Sequence, residues 1–220
     1  VGWLPALLQQ ARNPKILSSG GYLDASSSAN ILERPTEQVT RAMGDVHPFG
    51  NPHYWLDPEN GRAIARAIAQ KLSDIDPSGK VSYDENLARF EANLTTKEKE
   101  WADRMGPFAG TEVITYHNSW PNFLKYFKLK AVGYIEPKPG IPPSPSHTLE
   151  VINLGLARKV PLILVEPYFD TKTPAFIASK TGGKLLIFYP SVGGTPEIAD
   201  YFSVFDHNIE LFVKGMGARK

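Results

Sequence analysis

Apolar positions recur along the chain with two different periods. Ile64, Ala67, Ile68, Leu72 and Ile75 follow i, i+3, i+4 spacing, which predicts an amphipathic helix. Its start is well signalled: Asp57 suits an N-cap, Pro58 the first helical position and Glu59 the helix dipole, while Asp76-Pro77 ends it. In residues 78–106, Tyr83, Leu87, Phe90, Leu94, Trp101 and Met105 make a broken stripe beside the charged run Lys97-Glu98-Lys99-Glu100. Neither Pro nor Gly interrupts residues 80–105, so one helix of about 25 residues is predicted, roughly 37 Å long. That exceeds the usual range of roughly 8–20 residues. It fits either an exposed surface helix or a rigid connector between two lobes.

After Gly106-Pro107 the period changes. Glu112–Tyr116, Ala131–Ile135, Leu162–Val165 and Lys184–Phe188 read as strands, the last two as continuous apolar runs of a buried parallel sheet. Between and after them, Asn122–Phe127, Thr148–Arg158 (Leu149, Ile152 and Leu156 on one face), Thr173–Thr181 and about Asp200–Lys214 read as helices, with Gly182-Gly183 as a C-cap. Residues 137–145 hold five prolines and form a stiff loop. Residues 108–220 thus read β-α-β-α-β-α-β-α, the mark of an α/β domain with a mostly parallel sheet. Residues 1–77 resemble the end of a similar domain: a helix through Leu4, Leu7, Leu8 and Ala11, a strand at Lys15–Leu17, a loop and the Pro58 helix.

Composition narrows the chemistry. Across 220 residues, 24 basic and 23 acidic side chains leave a net charge of +1, so nothing electrostatic favours a nucleic acid or an anionic membrane as partner. No apolar run is long enough to cross a bilayer as a helix. The absence of Cys excludes disulfides, thiolate metal sites and Cys nucleophiles. A metal site would have to use His, Asp, Glu or water, and the five His are His47, His53, His117, His147 and His207. The opening Val1-Gly2-Trp3-Leu4-Pro5 has neither initiator Met nor a signal-peptide pattern, which suggests a processed or truncated product.

In a doubly wound sheet, ligands bind beyond the carboxyl ends of the strands. His117 follows one predicted strand, Glu166 another and Tyr189-Pro190-Ser191 a third, so all three ends converge on one edge. A strand-end His with a strand-end Glu suits a hard or borderline metal, although such a His more often only caps or hydrogen-bonds. A second constellation is the loop Asp45–Pro58, where His47 and His53 lie six apart between Pro48 and Pro52. The helix N-terminus beside His53 would favour neutral imidazole, though Tyr54 and Trp55 could simply pack with His53 as a loop residue. His147 and His207 read as surface residues. No nucleophile elbow, Walker loop or dinucleotide fingerprint occurs.

The segments Asn51-Pro52-His53-Tyr54-Trp55-Leu56-Asp57-Pro58 and Thr115-Tyr116-His117-Asn118-Ser119-Trp120-Pro121-Asn122-Phe123, with Val165-Glu166-Pro167 downstream, resemble the metal-specific (zinc/manganese) solute-binding proteins of bacterial ABC transporters, a family that includes lipoprotein adhesins. The resemblance runs from Trp3 to the last helix. It implies a two-lobed periplasmic-binding-protein architecture of mostly parallel sheets joined by one long rigid helix. The implied division is 1–77 as an incomplete N-terminal lobe, 78–107 as the linking helix and 108–220 as the C-terminal α/β lobe. It also implies a non-enzymatic, extracytoplasmic protein, periplasmic or membrane-anchored. Such a protein, as a monomer, captures Zn²⁺ or Mn²⁺ as transported ligand and delivers it to a membrane ABC permease.

His53 and His117 would be metal ligands by this resemblance, with Glu166 a third candidate. Two usual ligands are not visible: an earlier His, for which the chain begins too late, and a final Asp, where Phe188-Tyr189-Pro190-Ser191-Val192 has no carboxylate. Glu166, Asp170, His47 or water could substitute. Two rival readings follow: a same-fold binding protein that has lost its metal, or a two-His-one-carboxylate metalloenzyme.

Overall fold

The structure, a computed structural model, describes residues 4–17, 20–37, 40 and 47–217. Asp45, Val46 and the opening Val1-Gly2-Trp3 lie outside the described residues. Two short helices open the described chain, α1 (Leu4–Gln10) and α2 (Pro14–Leu17). The strand expected at Lys15–Leu17 is therefore a helical turn. Pro14 takes the first helical position and the Asn13 side chain accepts from Lys15 N–H at 3.0 Å, a local cap that three apolar-leaning residues cannot override.

Helix α3 (Pro58–Ile75) starts as its sequence predicts: Asp57 accepts from the Glu59 amide at 3.0 Å, with Pro58 in the first turn. Its apolar stripe does not face a core. Ile68, Leu72 and Ile75 are exposed, whereas Gly61, Ala69 and Ser73 are buried. An adjacent row of small residues lets the helix lie close to its surroundings, with Gly61 against Tyr201, while Arg62 and Arg66 reach Glu98 and Glu91 on the neighbouring helix.

That neighbour is α4 (Lys80–Met105), the uninterrupted 26-residue helix expected. Its burial deepens along its length: Val81 is exposed, while Leu94, Trp101 and Met105 are fully covered. The first half pairs with α3. The second half meets α8 (Tyr201–Met216), where Trp101 Nε1 donates to Asp206 at 2.7 Å and Arg104 pairs with Glu210. One uninterrupted helix therefore packs against both α3 and α8.

The sheet has four parallel strands in the order β2-β1-β3-β4: β1 (Glu112–Thr115), β2 (Lys130–Tyr134), β3 (Leu162–Val165) and β4 (Lys184–Ile187). β3 is buried on both faces, as its continuous apolar run requires. On one face α4, α5 (Pro121–Tyr126) and α8 bury Trp101, Trp120, Phe123, Phe188, Phe205 and Phe212. On the other, α6 (Pro145–Arg158) and α7 (Lys172–Thr181) cover Ile114, Ile163, Val165 and Ile177. α6 is turned relative to the predicted face. Val151, Ile152 and Gly155 pack inward and Leu149 and Leu156 stay exposed, because the row with Gly155 permits the closer approach. The chain moves outward from β1 to β2 on one side and to β3 on the other. The topological switch point, where doubly wound folds bind ligands, is thus the gap between the ends of β1 and β3.

Candidate metal centre

His117 lies two residues beyond β1, at that switch point. His53 comes from the loop before α3, just ahead of a single 3₁₀ turn, Tyr54–Leu56. The two imidazoles meet with ring centroids 5.8 Å apart, planes inclined at 73°. For an ion bound at ~2.05 Å by two imidazoles at a tetrahedral angle, the ring centres would be about 5 Å apart, so the observed spacing suits a shared ion. Both line a cavity of about 310 Å³ with Glu33, His47, Asn51 and Asn118 among its walls.

The His53 loop is strapped to the sheet domain. Trp55 Nε1 donates to the Pro190 carbonyl at 2.7 Å, Tyr201 Oη to the Trp55 carbonyl at 2.8 Å and Asn122 Nδ2 to the His53 carbonyl at 3.3 Å. Gly50, at φ +100°, lets the loop press onto residues 31–32. A Cβ there would stand 2.6 Å from Ile31 Cγ2, and the Asn51 amide bonds to the Leu32 carbonyl at 2.8 Å.

Hydrogen bonds select one form of each ring. Asn51 Nδ2 donates to Glu33 at 3.0 Å and to the Asn118 carbonyl at 2.8 Å, which leaves Asn51 Oδ1 facing His53 Nδ1 at 3.0 Å. His53 must therefore carry its proton on Nδ1 and keep its lone pair on Nε2. Burial, reinforced by the neighbouring His117 and His47, pushes its pKa down to about 4, so it is neutral at pH 7. His117 Nδ1 contacts the buried Glu136 carboxylate, and Phe169 stands 5.9 Å away, centre to centre.

Glu166 follows β3 as predicted but is fully buried and is not part of the cavity wall. Its Oε1 accepts from Trp120 Nε1 at 3.1 Å, Oε2 has no hydrogen-bond partner among the described residues, and burial raises its pKa. Among the described residues no three His, Asp or Glu side chains already stand together as a metal-holding group. His47 lines the cavity; His147 and His207 do not. Both of the latter are partly exposed at the surface. His147 Nε2 meets the Tyr134 carbonyl at 3.0 Å, and His207 packs edge-on against Tyr189. Sequence reasoning missed Glu33, Asn51 and Glu136. The one local hint is the placing of Asn51 two residues before His53.

A single parallel sheet covered by helices on both faces, a long helix packed along it, and an imidazole at the sheet's switch point facing a second one from a loop are the features of a solute-binding class of fold. The chain belongs to the ZnuA family, zinc-uptake complex component A, periplasmic, which matches residues 2–215. It is 26% identical over 171 residues to the metal ABC transporter substrate-binding lipoprotein ScbA of Streptococcus cristatus, covering 76% of this chain and 55% of the relative. It is 25% identical over 138 residues to the high-affinity zinc uptake system protein ZnuA of Brucella abortus, covering 63% and 41%. Its aligned part thus spans about half the length of these relatives. Among solved structures, a crystal structure of ZnuA superposes with TM-score 0.71 at 25% identity, over 87% of this chain and 68% of that one. The laminin-binding adhesin Lmb of Streptococcus agalactiae superposes with TM-score 0.72 at 22% identity, over 88% and 70%. The fold is thus α/β, of the two-lobed ZnuA type, although the described residues contain one sheet only.

Proposed function

We propose that the chain is the metal-capturing part of an extracytoplasmic solute-binding protein that delivers a divalent transition metal to an ABC permease. The observation that carries this reading is the pair of imidazoles, His53 and His117, 5.8 Å apart in one cavity. His53 is supplied from a loop that the fold braces at several points, and His117 from the end of β1. In this reading residues 1–77 belong to one lobe, 78–107 link, and 108–220 form the other lobe, with the ion held where they meet. His53 and His117 donate nitrogen. Glu166, whose buried Oε2 has no hydrogen-bond partner among the described residues, is the third candidate ligand. Such a donor set fits Zn²⁺ and Mn²⁺, and the named relatives take up zinc or, for ScbA, an unspecified metal.

Binding without turnover is the role the site supports. Neutral imidazoles displace water from the ion, and the braced loop limits the entropy lost on capture. Isothermal titration of Zn²⁺ and Mn²⁺ into wild type, His53→Ala and His117→Ala tests the reading. Each truncation should weaken binding by more than about 100-fold, beyond the range typical of outer-shell partners. Unchanged affinity in both variants would overturn it.

A further inference from the structure

We propose that Glu136 is a positioning residue for metal capture: it keeps the His117 proton on Nδ1 and so presents the Nε2 lone pair to the cleft. This deepens the metal-binding reading and rests on it for the role of His117. The placement comes from strand register. β1 and β2 pair Thr115 with Tyr134, and the ladder continues past their ends through Ile135 N–H to the Thr115 carbonyl at 2.9 Å and Glu136 N–H to the Tyr116 carbonyl at 3.0 Å. Two residues on from the last pair, His117 stands opposite Glu136.

The carboxylate is held at both oxygens. Oε2 faces His117 Nδ1, and Oε1 accepts from the Gly140 amide at 2.6 Å. Gly140 adopts φ +79°, a left-handed turn that suits glycine and aims its N–H back at Glu136. The Glu136 side chain is only 6% exposed, so it cannot swing away into solvent. A carboxylate can only accept, so the shared proton sits on Nδ1, and in the neutral ring Nε2 is left unprotonated. The nearby anion also favours a cation on the far side of the ring, as carboxylate–histidine–metal triads do.

Glu136→Gln separates this role from simple packing because it preserves shape. The Gly140 N–H would still claim the Gln carbonyl oxygen. The Gln NH₂ would then face Nδ1 and drive the proton to Nε2. ¹⁵N NMR of the imidazoles in the metal-free 220-residue chain, followed by Zn²⁺ titration, reads both consequences. The expected result is a wild-type His117 protonated at Nδ1, a Gln variant protonated at Nε2, and a 10- to 100-fold loss of Zn²⁺ affinity, of the size typical of outer-shell partners. A wild-type His117 protonated at Nε2 would overturn the proposal without any variant having to fold. So would a Gln variant with the wild-type tautomer and affinity. Failure of the metal-binding reading itself looks different: His117→Ala would leave Zn²⁺ affinity unchanged, whichever tautomer the spectra show.

Discussion

The two imidazoles of the cleft reach the same place by different means. His117 rides on the end of β1, inside a sheet whose register sets its neighbour, and a carboxylate touches its ring directly. His53 sits in an irregular loop and is oriented by an amide, with the charge one step further away at Glu33. The strand-borne ring needs little beyond the ladder to hold it. The loop-borne ring needs straps from four separated places: Leu32, Asn118, Asn122 and the pair Pro190–Tyr201. A rigid element brings its geometry with it, whereas a loop must borrow its geometry from whatever it crosses.

The largest effect belongs to the rings themselves, and their truncation should cost comparable affinity from either side if the ion is shared. Next comes Asn51→Ala, which removes the partner of His53 Nδ1 and the donor contacts to Glu33 and the Asn118 carbonyl at once. Zn²⁺ affinity should fall about 10- to 100-fold, and chemical denaturation should show a loss of about 1–3 kcal/mol for the buried groups left unpaired. The His117 tautomer should be untouched, which separates the two halves of the site.

A further effect, confined to acid pH, is a pH dependence of stability. His53 titrates near pH 4 when folded, against an ordinary value of about 6.5 when unfolded. Between those values the unfolded chain holds the extra proton, so stability falls as pH drops from about 6.5 toward 4 and is unaffected by this group above 6.5. The slope is at most about 1.4 kcal/mol per pH unit, and His53→Gln should flatten it in urea unfolding measured across that window.

Much of the fold is legible in the order of residues alone. The strands Leu162–Val165 and Lys184–Ile187 announce themselves because a strand covered on both faces must be apolar throughout. The long helix is visible because nothing between Lys80 and Met105 can break it. Lys15–Leu17 misleads because so short a run has no period, and the Asn13-Pro14 cap decides it. The apolar stripe of α3 misleads because periodicity marks an oily face without saying what covers it. A Pro-stiffened loop and a strand end mark His53 and His117 as candidates, and only the family resemblance joins them into one site. Glu136 is not, because its partnership depends on how two strands align. Glu33 is not, because it meets Asn118 across 85 positions of sequence.

In the proposed function, one ion is held by rings from both sides of the cleft. X-ray absorption at the zinc edge of the zinc-loaded chain counts imidazoles directly through their multiple scattering. The prediction is two imidazoles at ~2.0–2.1 Å in wild type and one fewer in each of His53→Ala and His117→Ala. A zinc signal with no imidazole, or one unaltered by either substitution, would contradict the account.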